Sequence, residues 1–277
     1  MPDAGESGAG RDGVAPVRAH PPSPRRTLAS RSVRAGLRVR STAMRFDGVS
    51  AIVTGAGSGI GSAASCALAA EGASVVLCGR RPEALERTRI ACASLSATGA
   101  LAVPLDVRDE HALRRAFDEA ASLAPLGAAV ACHGINRLAR AEEMPAAVWN
   151  EVVSTNLTGA FLFAREAARR MRPAGRGRIA IVSSVSGRPG YSKFPGFAAY
   201  AASKYALTGL VEVLAVELAG CGVGIAGLCP GGVDTELFRD TFPGSTPGLT
   251  PERVAEALLD LLDPLTAPPS GSLVDLV

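Results

Sequence analysis

The sequence predicts an α/β fold: one doubly wound parallel sheet of about seven strands flanked by helices, in a single folded domain. Three observations carry that prediction. The 277 residues are 47% hydrophobic, enough for the core of one α/β domain and little more. From Val49 onward, short apolar runs alternate with longer Ala-rich amphipathic stretches, which is the pattern of βαβ units. The first of those runs leads through a glycine-rich turn, Thr54 to Gly61, straight into an Ala-rich helix.

Residues 1–43 stand apart. They are rich in Gly, Pro, Ser and Arg, show no apolar period, and are expected to be a disordered basic tail that cannot offset its ordering entropy. Three explanations stay open: an organelle-import segment, a basic interaction arm, or translated sequence upstream of a start at Met44. Asp3, Glu6 and Asp12 weaken the first. The tail's eight Arg and three acids give it +5 of a chain total of +3, leaving −2 on the body. Such a body offers no footprint for nucleic acid, and with 4% aromatic residues it offers no stacking platform either. No apolar run is long enough to span a membrane. The six scattered cysteines lack a Cys-x-x-Cys pair and read as buried free thiols in a reducing compartment, the cytoplasm.

Strands are expected at 49–54, 74–79, 100–105, 127–132, 177–183, 223–229 and 271–276, with helices near 59–71, 82–97, 109–122, 155–171, 198–219 and 251–262. In such a sheet ligands bind beyond the carboxyl ends of the strands, so the residues that follow each strand matter most. After the first strand, Gly55, Gly59 and Gly61 permit a tight turn, and the helix N-terminus offers unpaired N–H donors to a pyrophosphate. The second strand ends in Gly79-Arg80-Arg81 where a carboxylate would bind the ribose diol of NAD. Arg80 instead suits the 2′-phosphate of NADP, and Arg81 is the weaker candidate. NADP(H) is therefore favoured, with NAD(H) as the alternative. After the third strand, Asp106 is a candidate acceptor for an adenine amino group or a cap for the next helix.

Tyr200 and Lys204 lie four apart on an expected helix, so they share one face about a turn apart. Bringing a Tyr from its usual pKa of about 10 to about 7 needs roughly 4 kcal/mol of phenolate stabilisation. One nearby ammonium supplies much of that. Only two of the 29 basic residues are lysines, Lys193 and Lys204, so a Lys at this spacing stands out. The last expected helix is announced by Thr250-Pro251-Glu252, an N-cap followed by Pro.

Taken together, TGAGSGIG, STNLTGAF, IVSSVSG, YAASK and LCPGGVDTEL resemble, in order, the motifs of the short-chain dehydrogenase/reductase family, over about 44–277. The resemblance implies a single Rossmann-type domain that moves a hydride between nicotinamide and a carbonyl or secondary alcohol. By that resemblance Asn156 holds a proton-relay water through its helix, Ser184 hydrogen-bonds the substrate oxygen, Tyr200 is the acid/base, and Lys204 binds ribose and tunes Tyr200. Pro230, Gly231, Val233 and Thr235 then hold the nicotinamide. Ser58, Ile60, Val107 and Gly134 join Gly55, Gly59, Gly61, Arg80 and Asp106 among the cofactor contacts.

One departure stands out: Ala131-Cys132-His133-Gly134 replaces the family's usual Asn-Asn-Ala-Gly, which removes the side chains expected to brace the sheet there. With no second ligand cluster nearby, His133 and Cys132 read as packed residues and no metal site is expected. Tyr191 and Phe194 are candidate substrate contacts, and 238–248, short and Pro/Gly-rich, falls where the resemblance places the family's substrate lid, which implies a small or open pocket. A non-catalytic nucleotide-binding or scaffold role is the alternative that the altered segment raises. The apolar helices carrying Asn156 and Tyr200 suggest a homodimer or homotetramer.

Overall fold

A computed structural model describes residues 44–96 and 98–277; the expectations for residues 1–43 fall outside the described residues. Seven strands form one parallel sheet: β1 (Ser50–Thr54), β2 (Ser74–Gly79), β3 (Ala100–Pro104), β4 (Leu126–Ala131), β5 (Gly177–Val182), β6 (Val223–Pro230) and β7 (Leu273–Leu276). Their order is β3-β2-β1-β4-β5-β6-β7. The helices are α1 (Gly59–Ala70), α2 (Pro82–Leu95), α3 (Glu110–Leu123), α4 (Ala146–Val153), α5 (Gly159–Ala174), α6 (Ala198–Glu217), α7 (Glu236–Thr241) and α8 (Pro251–Leu262).

Side chains alternate between two cores, as the two-residue period of a strand requires. Ile52, Ala129, Ile179 and Ile225 face one layer with α3, α5 and α6. Val53, Val130, Ala180 and Ala226 face the other with α1 and α8. Covered on both faces, the strands read as continuous apolar runs, which is why their positions were legible. Where β4 meets β1 the register skips Gly127, whose Cβ would stand 2.8 Å from Val49.

Two helices depart from expectation. Residues 146–153 are helical, and they continue through a π-helical turn at Ser154–Thr158 into α5. Of its own residues α4 buries only Val152, so no apolar stripe betrays it. The lid segment begins as α7, which buries none of its residues and is capped by Thr235 accepting from the Phe238 N–H at 3.2 Å. Of the six cysteines, Cys78, Cys92 and Cys229 are buried; Cys66, Cys132 and Cys221 are only partly so. Among the described residues no helix is long and apolar enough to cross a membrane.

Candidate active site

Chain order reverses between β1 and β4, and there the carboxyl ends of the strands open into two adjoining clefts. The first, of about 560 Å³, is lined by the β1–α1 turn, Arg80, Asp106, Val107, Gly134 and Thr235. The second, of about 440 Å³, is lined by Ser184, Tyr200, Lys204, Pro230, Gly231 and Val233. Ile60, His133, Gly134 and Thr235 belong to both walls. All the expected site residues except Asn156 and Tyr191 therefore converge on one continuous depression.

The β1–α1 turn is built for close approach. Gly55 has φ +68°, and a Cβ on it would stand 2.9 Å from the His133 backbone nitrogen. A Cβ on Gly61 would sit 2.2 Å from the Gly55 carbonyl oxygen, so no side chain fits. Ser58 precedes α1 without capping it, since its hydroxyl instead accepts from Arg81 at 3.2 Å. The first-turn N–H groups thus face the cleft, a cradle that fits an anionic diphosphate.

The two arginines after β2 behave differently. Arg81 is committed to Glu236 of α7 at 2.9 Å. Arg80 is exposed on the cleft wall, and among the described residues no ion pair engages it. It is the guanidinium left to meet a phosphate. Asp106 is grasped by Arg108, at 2.6 Å in the shortest contact, and that hydrogen bond holds its carboxyl below the usual range. It lines the cleft as an already paired group.

In the second cleft α6 carries Tyr200 and Lys204 on one face. The close packing of α6 depends on Gly187, in the turn after β5, where a Cβ would stand 2.5 Å from the Lys204 carbonyl. Ser183 Oγ donates to that same carbonyl at 2.8 Å. Ser184 is thereby set beside Tyr200, near enough for its hydroxyl to pull the phenol's pKa down. Lys204 is buried, donates to the Val182 carbonyl at 2.9 Å, and lies 5.6 Å from the Tyr200 ring centre. Burial pushes Lys204 down to about 8 and holds Tyr200 above its ordinary value, against the lowering pull of Ser184. The expected depression of Tyr200 is not found in the protein alone, because burial outweighs the neighbouring groups.

Asn156 sits behind both clefts. It accepts from the Ile135 N–H at 2.8 Å, and donates to the Ile135 carbonyl at 2.9 Å and to Ser203 at 3.0 Å. Its side chain pins the backbone that follows Gly134. His133 Nδ1 meets Thr54 Oγ1 at 2.7 Å, and burial pushes the imidazole down to about 3, so the ring is neutral. Tyr191 does not line the pocket, and its hydroxyl donates to Asp275 at 3.2 Å. Phe194 does line the pocket, and sequence reasoning missed its companions Phe197, Phe238 and Phe242. The spacing of those phenylalanines in two separate segments carries no signal until the fold brings them together.

Comparison with known proteins places these features in context. The family model described as short chain dehydrogenase matches residues 50–245. A galactitol 2-dehydrogenase (L-tagatose-forming) of Cereibacter sphaeroides is 37% identical over 247 residues, 84% of this chain and 95% of the relative. A 3beta-hydroxysteroid dehydrogenase of Mediterraneibacter gnavus is 38% identical over 70% of this chain and 69% of its own. The crystal structure of a levodione reductase superposes with TM-score 0.77 at 25% identity, covering 83% of this chain and 96% of that one.

Proposed function

The chain belongs to the short-chain dehydrogenase family, an oxidoreductase group acting on alcohol and carbonyl compounds, and from that premise we propose an NADP(H)-dependent carbonyl reductase with Tyr200 as acid/base. The observation that carries the proposal is the meeting of Ser184, Tyr200 and Lys204 in a pocket whose wall is shared with the glycine cradle. The nicotinamide, when bound, supplies or receives the hydride.

Gly55, Ser58, Gly59, Ile60 and Gly61 would hold the diphosphate, and Arg80 would pair with the 2′-phosphate. Asp106, Val107 and Gly134 line the rest of the first cleft, and Pro230, Gly231, Val233 and Thr235 would hold the nicotinamide. In the reducing direction Tyr200 starts as a phenol, which its burial favours at neutral pH. It donates its proton to the substrate oxygen while Ser184 donates a second hydrogen bond. The phenolate left behind is stabilised by the Lys204 ammonium. Lys204 Nζ lies 5.6 Å from the ring centre, and an ammonium at that range in a partly dry cleft favours the phenolate over the phenol. Asn156 acts as a positioning residue by fixing Ile135 and Ser203 on either side of the site.

Three further readings rest on the same premise. Residues 44–277 make up the working domain, and the unpaired thiols favour a reducing, cytoplasmic location. Phe161 on α5 and Tyr205, Val213 and Val216 on α6 expose apolar surface that suits pairing with a second copy, as a homodimer or homotetramer. A monomer by light scattering at micromolar concentration contradicts the pairing.

The decisive experiment is a fluorescence titration of NADPH and NADH on the wild type and on Arg80→Ala. The expected result is an NADPH preference that the variant loses. Equal binding of the two by the wild type demotes Arg80, and binding of neither overturns the oxidoreductase reading.

A further inference from the structure

Aromatic residues are scarce in this chain: eight Phe, three Tyr and one Trp among 277 residues. Five of those twelve nevertheless gather at the second cleft: Phe194, Phe197, Tyr200, Phe238 and Phe242. They come from the segment before α6, from α6 itself and from α7 with its following residue, and they form one connected cluster. Phe242 is its hub, 5.2 Å from Phe194 edge-on, 5.5 Å from Phe197 nearly stacked, and 5.3 Å from Phe238. Phe197 in turn meets Tyr200 edge-on at 5.8 Å. The cluster therefore begins at the phenol and runs along the wall to the lid.

Charge is the complementary observation. Among the described residues lining this cleft there is no Arg, Asp or Glu; Lys204 supplies the one charged side chain, and it is buried beneath Tyr200. The one imidazole, His133, is neutral and engaged by Thr54. A carboxylate or phosphate on the substrate would lose its water and find no free counter-charge. A polyol has Asn136, Ser186, Thr241 and Ser245 besides the Ser184–Tyr200 pair to meet its hydroxyls, and each hydroxyl left against a phenyl face costs about tenfold or more in affinity.

Resting on the oxidoreductase reading above, we propose that the second cleft selects an uncharged ketone or secondary alcohol borne on or beside an aryl or alicyclic ring. The ring lies among Phe194, Phe197, Phe238 and Phe242, with the oxygen at Ser184 and Tyr200. Tilted phenyl rings present both faces and edges, which rewards a flat ring in offset or edge-on contact beyond simple apolar burial. The lid is thus a specificity element: Phe238 and Phe242 ride on it, and Gly232 leaves room for Phe238, since a Cβ there would stand 2.7 Å from that ring.

The test uses the full chain with saturating NADPH and, in parallel, NADH or their oxidised forms for alcohols. Acetophenone, 1-phenylethanol and 2-decalone are compared with galactitol, threitol and gluconate. The expected result is a kcat/KM at least about a hundredfold higher for the ring compounds. Phe242→Ala should lose about tenfold or more of it, mainly through KM. Phe194→Ala, at a half-exposed position that tolerates truncation, should show a smaller loss in the same direction. Calorimetric binding of acetophenone and galactitol to Tyr200→Phe with NADP+ separates this proposal from the one beneath it. Ring binding with no turnover by the wild type overturns the oxidoreductase reading and keeps the pocket assignment. Polyol turnover without ring binding overturns the pocket assignment alone, as does a ring ketone that fails to bind.

Discussion

Lys204 is expected to weaken the fold that it serves. The residue is 4% exposed and burial pushes its pKa from 10.5 down to about 8. At 1.36 kcal/mol per pH unit, holding it charged at pH 7 costs about 3 kcal/mol. Lys204→Met removes that cost and leaves the Val182 carbonyl without its partner, a loss of about 1 kcal/mol, so a net gain of about 2 kcal/mol is expected. The sign of the pH dependence follows from proton counting. Between about pH 8 and 10.5 the unfolded wild type binds more protons than the folded one, so its stability rises with pH there. The variant lacks that rise, and by pH 10 the gap between the two closes. Urea unfolding of both proteins at pH 7 and pH 10, at one fixed concentration, measures it, since other groups cancel in the difference. A variant no more stable than wild type at pH 7, or a gap that does not change with pH, refutes the reasoning. In the same samples kcat should fall by about a hundredfold or more, as the phenolate loses its counter-charge.

Gly61→Ala sets a Cβ 2.2 Å from the Gly55 carbonyl; it should cost about 1–3 kcal/mol in urea unfolding and abolish NADPH binding by fluorescence. Glu236→Gln breaks the ion pair that joins Arg81 to α7, with both partners more than half exposed. Stability should stay within about 0.5 kcal/mol, while stopped-flow release of cofactor accelerates about threefold at low salt and not in 0.5 M salt. His133, pushed down to about 3 by burial, binds fewer protons folded than unfolded between there and 6.5, so wild-type stability falls as pH drops through that window. His133→Ala should show a shallower acid limb, and parallel limbs would count against a neutral buried imidazole.

Most of the fold could be read in the sequence because a sheet covered on both faces leaves uninterrupted apolar strands. β2, running from Ser74 to Gly79, and α8, from Pro251 to Leu262, begin and end where the pattern and the Thr250 cap put them. What escaped was physically quiet. α4 buries one side chain, α7 none, and neither leaves an apolar period to detect. The nucleotide cleft was legible because Gly55 and Gly61 are dictated by local backbone crowding, a property of a few consecutive residues. The phenylalanine wall was not, because Phe194 and Phe242 meet only through tertiary structure. The role of Gly187 was hidden for the same reason: its near neighbour is the Lys204 carbonyl, on another element.

The altered Ala131-Cys132-His133 segment shows how the strand end is braced without the asparagines that the sequence lacks there. β4 ends at Ala131, and the next residues must hold the β1 turn against α6. His133 does so toward β1, through the 2.7 Å contact to Thr54 at the end of that strand. Asn156 does so toward α6, with one amide gripping both polar groups of Ile135 and also Ser203. Gly134 lies between them, where a Cβ would stand 3.5 Å from Lys204 Nζ and 3.6 Å from Asn156 Oδ1. Gly134 thus lies beside the Lys204 ammonium. Of the twelve buried polar or charged residues among those described, seven cluster here: Thr54, Thr155, Asn156, Ser183, Ser184, Ser203 and Lys204. Buried polar groups cost stability unless paired, and a network of this size persists where each member fixes the next. The segment that first argued for a scaffold role is, in the fold, tied to β1 through His133 and followed by the backbone that Asn156 grips.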